Sequence, residues 1–198
     1  MEETKNLTFN HLKIHSQYSI CEGAIKIENL KNFCKENKIP AIGLSDTSNL
    51  CGALEFAENI SKAGSQPIIG TQIYFKFEDT TGLLPLIALN EKGYKRIIEL
   101  SSKSYLENEA LSNPHLSIEE LLINMDGVIL LSGTIHGLFG KLFEKGRFDE
   151  ISKLYKNLSS KFNDRFYLEI QRHGDQNETA FERFNLERSS VFKIPIIA

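Results

Sequence analysis

The sequence lacks several features that would place it in whole classes of protein. It has no apolar run near the ~18 residues of a membrane-spanning helix. Its first residues, MEETKNLTFN, lack the basic and apolar regions of a secretory signal peptide. It has neither a GxGxxG nor a GxxxxGK(S/T) motif, so neither dinucleotide binding nor a phosphate-binding P-loop is indicated. We therefore expect a cytoplasmic protein without a membrane partner.

Cysteine and net positive charge are also scarce. The 198 residues include three cysteines, Cys21, Cys34 and Cys51, without CxxC spacing. An odd number at this spacing argues against a disulfide framework or a zinc ribbon. The formal net charge of -3 gives no global basic field, so this chain is not expected to form the main nucleic-acid groove. Its hydrophobic content of 41% and its length fit one globular domain.

Short apolar runs alternate with helical periods along the chain. The runs are rich in β-branched and aromatic residues and predict strands at 11–15, 41–45, 67–75, 83–89, 127–131, 166–170 and 194–198. Stripes of apolar residues at helical spacing predict helices around 30–34, 94–105 and 148–162. Ser117 and Glu120 match a capping box that opens another helix. This alternation predicts an α/β protein with a mainly parallel sheet, either doubly wound or closed into a barrel.

The last apolar run, IPIIA at 194–198, has the pattern of a strand that is cut at its carboxyl end. In parallel α/β folds this end of a strand carries the site residues, on the loops that follow it. We therefore expect residues 1–198 to form one domain, truncated near its C-terminus, that is the N-terminal fragment of a longer chain.

Polar residues follow most of the predicted strands and are expected to share one edge of the sheet. They are His11, Lys13, His15, Glu22, Asp46, Gln72, Thr134, His136 and His173. Imidazole and carboxylate groups from several strand ends can bind metal ions and activate water for phosphoester hydrolysis. Lys13 opposes this interpretation, because it shares a strand face with His11 and His15 and would repel a dication. Hydrogen-bonded or loop roles therefore stay open for His15, Asp46 and His173.

The order of several short segments is distinctive. They are HLKIHSQYS with Glu22-Gly23, AIGLSD, NL and GALEF within 41–56, KAG and PIIG within 62–70, LNEKGY at 89–94, GVILLSG at 127–133 and FYLEIQRHG at 166–174. Taken together they resemble the PHP (polymerase and histidinol phosphatase) domain found in alpha subunits of bacterial DNA polymerase III, whose opening reads HLHVHSxYSLLDG. The similar segments occur in the family's order over nearly the whole chain, and their combination is specific for the polymerase branch.

The resemblance implies a distorted seven-stranded β/α barrel of the PHP type, with up to three metal ions at the carboxyl ends of its strands. Three of the family's ligand positions keep a suitable side chain: His15, Glu22 and His173. The residues that stand where other ligands occur are Lys13, Thr47, Gln72, Leu83 and Thr134. A final Asp-x-His pair would lie beyond Ala198. The comparison therefore implies a vestigial site with no metal and no catalytic residue, in which Asp46 is one further possible ligand.

The resemblance also implies a function. The chain would be the N-terminal PHP domain of a replicative DNA polymerase, a nucleotidyltransferase that meets DNA through the rest of its chain. The domain itself would be a scaffold for the proofreading exonuclease subunit, among other subunits of the polymerase III holoenzyme. One alternative is an active zinc- or manganese-dependent phosphoesterase or 3′–5′ exonuclease that uses His15, Glu22, Asp46 and His173. A free-standing histidinol-type phosphatase is a second alternative, which the polymerase-type segments disfavour.

Overall fold

A computed structural model describes residues 9–108 and 112–198 of the chain. The chain divides into two compact units, one ending at Thr71 and one beginning at Gln72. Helices and strands alternate through both, as predicted for an α/β protein. Within the described ranges, no helix has the length and apolar character that crossing a membrane requires.

The first unit contains two helices and the strand between them. They are α1 (Ile27–Asn37), β1 (Ala41–Thr47) and α2 (Ala53–Lys62), followed by the beginning of β2 (Gln66–Phe77). The five central residues of β1 are buried, which is what a continuous apolar run predicts for a strand covered on both faces. Helix α1 is followed by Lys38, whose φ of 52° is left-handed and caps the helix, shortly before the helix breaker Pro40.

The core of the first unit is formed by residues of α1, β1 and α2. Its buried members are Ile27, Leu30, Cys34, Ile42, Leu44, Phe56 and Ile60. Burial raises the pKa of the Cys34 thiol, so this cysteine is a small core residue. Cys21 and Cys51 are exposed, and all three thiols are free. The prediction that the chain has no disulfide framework is thus confirmed.

The predicted strand at 11–15 is not a regular strand. Ile14 makes only an isolated parallel bridge to Leu44 of β1. Ser16 makes a second isolated parallel bridge, to Ile25, and a turn follows it. The Ser16 backbone N–H donates to the side chain of Asp46 at 2.6 Å. The segment nevertheless runs beside β1, and it brings the following loop to the carboxyl end of that strand.

The second unit contains the remaining elements. They are the end of β2, β3 (Thr80–Ala88), α3 (Glu91–Leu106), β4 (Leu116–Ser117), a 3₁₀ helix (Ile118–Leu122), β5 (Val128–Leu131), α4 (Leu138–Glu144), α5 (Phe148–Phe162), a 3₁₀ helix (Asn163–Arg165), β6 (Phe166–Glu169), α6 (Glu178–Phe192) and β7 (Ile196–Ile197). The strand order is β2-β3-β5-β6-β7, and the short β4, which the sequence did not predict, pairs with β2.

The sheet of the second unit is mixed, and β3 is the exception to the predicted parallel arrangement. Strand β3 is antiparallel to β5, with Leu86 opposite Leu130. A two-residue turn joins β2 to β3, with Glu78 at a φ of 51°, and two residues leave no room for the crossover that a parallel pair requires. Strands β5, β6 and β7 are parallel, as expected.

The predicted helices exist, but their details differ. The stripe of α5 is confirmed, since Ile151, Tyr155, Leu158 and Phe162 are buried. Helix α3 instead buries Gly93, Ile97, Leu100 and Ser104, so most of the predicted stripe at 94–105 was misplaced. The capping box was also wrong. Ser117 precedes a short 3₁₀ helix without capping it, because its hydroxyl donates to Glu119.

Candidate functional site

Asp46 is a buried carboxylate near the end of β1. It is 1% exposed and accepts hydrogen bonds from the Ser16 backbone N–H at 2.6 Å, the Ser16 hydroxyl at 2.7 Å and the Ser19 hydroxyl at 2.9 Å. Hydrogen bonds of this kind satisfy the acceptor oxygens of a buried carboxyl group without a cation. Asp46 therefore anchors the loop that follows residue 15, which is the loop role that the sequence left open.

Ser19 connects the residues of this group to one another. Its hydroxyl donates to Asp46 and accepts the backbone N–H of Thr47 at 2.9 Å. Nδ1 of His15 lies 3.2 Å from the same oxygen. Because the Ser19 proton is directed to Asp46, His15 contacts the oxygen through a protonated Nδ1. The pair is thus not arranged as a nucleophile with its general base, in which the serine would donate to the imidazole.

Glu22 completes the group through contacts with Thr47 and His15. Its Oε2 accepts the hydroxyl of Thr47 at 2.5 Å and lies 3.7 Å from Nδ1 of His15. The structure therefore brings together three of the predicted residues, His15, Glu22 and Asp46. It also places Thr47, which stands at a ligand position of the family, in direct contact with the retained carboxylate.

The sequence did not predict the hydroxyl and amide groups that form hydrogen bonds to the backbone of this site. The Thr71 hydroxyl donates to the carbonyl oxygen of Asp46 at 2.6 Å, and the Asn49 side chain donates to the carbonyl of Tyr18 at 3.0 Å. The Tyr18 hydroxyl donates to Glu55 at 2.8 Å, and this carboxylate raises the pKa of Tyr18. Only the tertiary fold joins these residues, so the linear pattern carried no signal for them.

His173, the third retained ligand position, belongs to the second unit and has other partners. It is exposed, and its Nε2 lies 3.2 Å from the side-chain oxygen of Gln171. The Gln171 amide in turn donates to Glu169 at 2.6 Å. Glu169 is 6% exposed at the end of β6. The segment after β6 therefore presents a chain of polar side chains.

A carboxylate at the start of α6 fixes the backbone of this segment. Glu178 accepts the backbone N–H of His173 at 2.8 Å and of Gly174 at 2.9 Å. The bond from His173 is the main cause that lowers the pKa of Glu178. Gly174 has a φ of 87°, a conformation that favours glycine. The position of His173 thus depends on Glu178.

The residues after β5 form a separate contact in the second unit. The Thr134 hydroxyl accepts the backbone N–H of His136 at 3.2 Å, so Thr134 caps a turn. Nε2 of His136 lies 3.0 Å from Asp175. His136 is largely exposed, as predicted for a loop residue. Of the other residues considered from sequence, His11 is exposed, Lys13 and Leu83 are partly buried, and Gln72 is buried.

The side chains of the first unit that could bind a metal are not arranged to hold a cluster of cations. Asp46 is engaged by three donors, and Glu22 is engaged by Thr47. A cation cluster needs several anionic or imidazole ligands to offset its charge. Within residues 9–108 and 112–198, no three or more His, Cys, Asp or Glu side chains are grouped so that they could hold a metal ion.

The family of the chain follows from its sequence. The model of the PHP domain family matches residues 11–173, a span that contains His15, Glu22, Asp46 and His173. The chain therefore belongs to the PHP domain family.

Curated relatives identify the branch that the chain resembles. It is 36% identical to the DNA polymerase III subunit alpha of Caulobacter vibrioides, over all of this chain and 18% of that relative. It is 36% identical to the corresponding subunit of Rickettsia felis and 32% identical to that of Vibrio cholerae, in each case over 96% of this chain. The chain thus spans less than a fifth of the length of these relatives.

A solved structure shares the fold. It is a Bifidobacterium adolescentis protein assigned as a metal-dependent phosphoesterase, with a TM-score of 0.63 over 94% of this chain and 85% of that one. At 12% identity this likeness shows the fold alone. Together with the family match, it confirms the predicted α/β fold of the PHP type.

Proposed function

We propose that this chain is the PHP domain of a replicative DNA polymerase III alpha subunit, and that it acts as a metal-free scaffold that binds the proofreading exonuclease. The parent chain would catalyse DNA-directed nucleotidyl transfer with residues outside this domain. The observation that carries the proposal is the hydrogen-bonded group at the end of β1, in which the Thr47 hydroxyl donates a hydrogen bond to the carboxylate of Glu22.

The relatives support the polymerase part of this proposal. Those named above are all alpha subunits of DNA polymerase III, and the alignments extend over nearly the whole chain. Because these relatives are all the same kind of protein, we infer that this chain also belongs to such a subunit. The chain spans only part of these relatives. We therefore propose that polymerisation, DNA binding and holoenzyme assembly are activities of the parent chain.

The chemistry of the substituted positions supports the metal-free part. Lys13 places a cationic side chain where the family has an imidazole, which adds repulsion for a dication. Thr47 and Gln72 supply neutral oxygens or nitrogens in place of stronger ligands. Hydroxyl donors then satisfy the retained acids, so the carboxylate oxygens of Asp46 already have hydrogen-bond partners in the loop that follows residue 15.

A metal-dependent phosphoesterase or 3′–5′ exonuclease is the alternative. Nδ1 of His15 lies only 3.7 Å from Glu22, so one imidazole and one carboxylate are already adjacent. Two such groups can contribute to a single metal site. Asp46 would have to release its hydroxyl donors before it could become a third ligand.

Metal content separates these two functions. The full-length chain would be incubated with manganese and zinc, desalted, and measured by elemental mass spectrometry. We expect less than one equivalent to be retained by the PHP domain, judged against the same chain with this domain removed. Two or more equivalents, together with hydrolysis of a 3′-labelled oligonucleotide, would establish the alternative and overturn the scaffold proposal.

Binding to the exonuclease tests the scaffold role directly. The full-length polymerase chain and its cognate exonuclease would be mixed and analysed by size-exclusion chromatography and calorimetry. We expect a stable complex that forms equally well after treatment with a chelator, because no metal is needed to shape the domain. A polymerase chain that is folded and active but does not bind the exonuclease would contradict this role.

A further inference from the structure

The first unit presents two aliphatic side chains to solvent beside the polar group. Ile20 is 86% exposed and Leu54 is 73% exposed, which makes them the most exposed large apolar side chains in the described part of this unit. A single exposed aliphatic residue is ordinary on a protein surface. Two of them on segments that contact each other are a more specific feature, because clustered apolar side chains on a surface mark sites of interaction.

Tyr18 joins the segment that carries Ile20 to the start of the helix that carries Leu54. Its hydroxyl donates to Glu55 at 2.8 Å, in the helical turn that contains Leu54. Its ring packs on Gly52, where an added Cβ would meet the ring at 2.7 Å. The backbone at residue 18 therefore runs beside the start of α2, and Ile20 follows two residues later.

The loop that carries Ile20 is held in place by short-range hydrogen bonds. The backbone N–H groups of Glu22 and Gly23 both donate to the carbonyl of Ser19, at 3.0 and 2.9 Å. The Ser19 hydroxyl is in turn bonded to buried Asp46. An apolar side chain on a loop that is already ordered loses little conformational entropy when it binds a partner.

A carboxylate lies close in sequence to each of the two residues, Glu22 after Ile20 and Glu55 after Leu54. Glu22 accepts a hydroxyl from Thr47, and Glu55 accepts a hydroxyl from Tyr18. A hydroxyl donor stabilises a carboxylate but leaves its negative charge in place. The exposed thiols of Cys21 and Cys51 add small apolar groups next to these residues. A partner that matches this surface would therefore present a cation next to an aliphatic side chain.

We propose that Ile20, Cys21, Cys51 and Leu54, with Glu22 and Glu55 beside them, form a docking surface, called here the Ile20 surface. Its occupant is a peptide segment that carries an aliphatic side chain next to lysine or arginine. This inference rests on the proposed function, since the segment is assigned to the proofreading exonuclease. The aliphatic side chain contacts Ile20 and Leu54, and the cation pairs with the two carboxylates.

The first experiment measures binding of the full-length polymerase chain to its cognate exonuclease by calorimetry. The variant carries Ile20→Asp and Leu54→Asp, and the matched control carries Val191→Asp, an aliphatic residue on α6 that is 63% exposed. We expect the double variant to bind about tenfold more weakly or worse, as for loss of an apolar anchor. The control should bind like the unchanged chain, and all three should unfold at similar temperatures because the changed residues are exposed.

The outcomes separate the surface from the function. Unchanged affinity of the double variant, with the complex itself intact, would overturn the Ile20 surface and leave the scaffold proposal standing. Failure of the unchanged chain to bind the exonuclease would overturn both. Loss of binding in the variant but not in the control would support both.

A second variant tests the charge complement without changing the apolar residues. Glu22→Gln with Glu55→Gln keeps the hydrogen-bond acceptors but removes both charges. We expect binding to weaken about threefold at low salt and to depend less on salt than in the unchanged chain. The exposed Glu36→Gln on α1 is the control and should keep the full salt dependence. Equal salt dependence in all three chains would overturn the assignment of a basic partner segment.

Discussion

Thr47 donates its hydroxyl to the carboxylate of Glu22 at 2.5 Å, across 25 residues of sequence. The same carboxylate oxygen lies 3.7 Å from His15. A side chain at position 47 therefore reaches the two retained groups of the first unit. The resemblance to the family implies a metal ligand at this position, and here a neutral hydroxyl makes the contact with the retained acid.

The first prediction restores imidazoles at this place. Position 13 shares the face of the extended segment with His15, so Lys13→His and Thr47→His would offer three imidazoles and Glu22, a set that suits tetrahedral zinc. We expect the double variant to retain about one equivalent of zinc after desalting, measured by elemental mass spectrometry. Lys26→His with Lys62→His adds two histidines elsewhere and should retain no more zinc than the unchanged chain. Equal zinc in both variants would contradict the geometry inferred here.

The second prediction concerns Asp46. Because it is 1% exposed and accepts three hydrogen bonds, Asp46→Ala would leave buried donors without an acceptor. We expect the free energy of unfolding to fall by roughly 2–4 kcal/mol. Chemical denaturation in the presence of a chelator would measure the loss. The exposed Asp126→Ala should change stability by less than about 0.5 kcal/mol. A loss that appears only when metal is present would instead make Asp46 a ligand.

Local patterns predicted the strands and helices well where the burial of apolar side chains decides the structure. The apolar run at 41–45 became β1, and the stripe at 148–162 became α5. The direction of β3 was decided by a two-residue turn, which apolar periodicity does not report. The pattern of the segment at 11–15 indicated an extended chain, but it carried no sign of the hydrogen bond from the Ser16 N–H to Asp46.

The residues of the candidate site could be predicted from the sequence, but the hydrogen bonds between them could not. His15, Glu22 and Asp46 were named from sequence, and the fold brings them together with Thr47. Their acceptor and donor roles depend on Ser19, whose hydroxyl lies between residues that are distant in sequence. Sequence alone cannot show such a junction, because serine is common in loops and carries no periodic signal.

The third prediction concerns acid stability. Lys103 donates to Glu120 at 2.6 Å, and this hydrogen bond is the main cause that lowers the pKa of Glu120 from its ordinary value of 4.5. A carboxyl with a lowered folded pKa contributes stability above its unfolded pKa and loses it as the pH falls through the folded value. We expect Glu120→Gln to reduce stability by roughly 1–2 kcal/mol at pH 7 and to flatten the fall below about pH 4.5. Thermal unfolding from pH 7 to pH 3 is the measurement, with exposed Glu144→Gln as the control. An unaltered acid limb in the Glu120 variant would contradict this role.

The fourth prediction concerns the segment that carries His173. Glu178 accepts the backbone N–H groups of His173 and Gly174, so these amides should be protected from exchange with solvent. We expect Glu178→Ala to speed hydrogen exchange at both amides while leaving the core strands unaffected. Glu187→Ala, a matched change at an exposed position further along α6, should leave the two amides as they are. Unchanged exchange in the Glu178 variant would mean that the turn is held by other contacts.

The fifth prediction tests a buried polar pair in the second unit. The hydroxyl of Tyr155, which is fully buried, donates to the side-chain oxygen of Asn185 at 3.0 Å. Within the part of the chain that the structure describes, the Asn185 side-chain nitrogen has no hydrogen-bond partner. Tyr155→Phe would therefore leave a fully buried amide without its one hydrogen bond, because the nitrogen cannot replace the contact that the oxygen loses. A buried polar group left without a partner costs about 1–3 kcal/mol, and we expect the free energy of unfolding to fall by that amount.

The half-exposed Tyr105→Phe is the control for this change, and chemical denaturation is the measurement. It removes the same hydroxyl from a position that water already reaches, so its effect should stay below about 0.5 kcal/mol. Equal losses in the two variants would show that the Tyr155 hydroxyl contributes through something other than its bond to Asn185. A loss confined to the Tyr155 variant would place the buried pair among the contacts that hold α5 against α6.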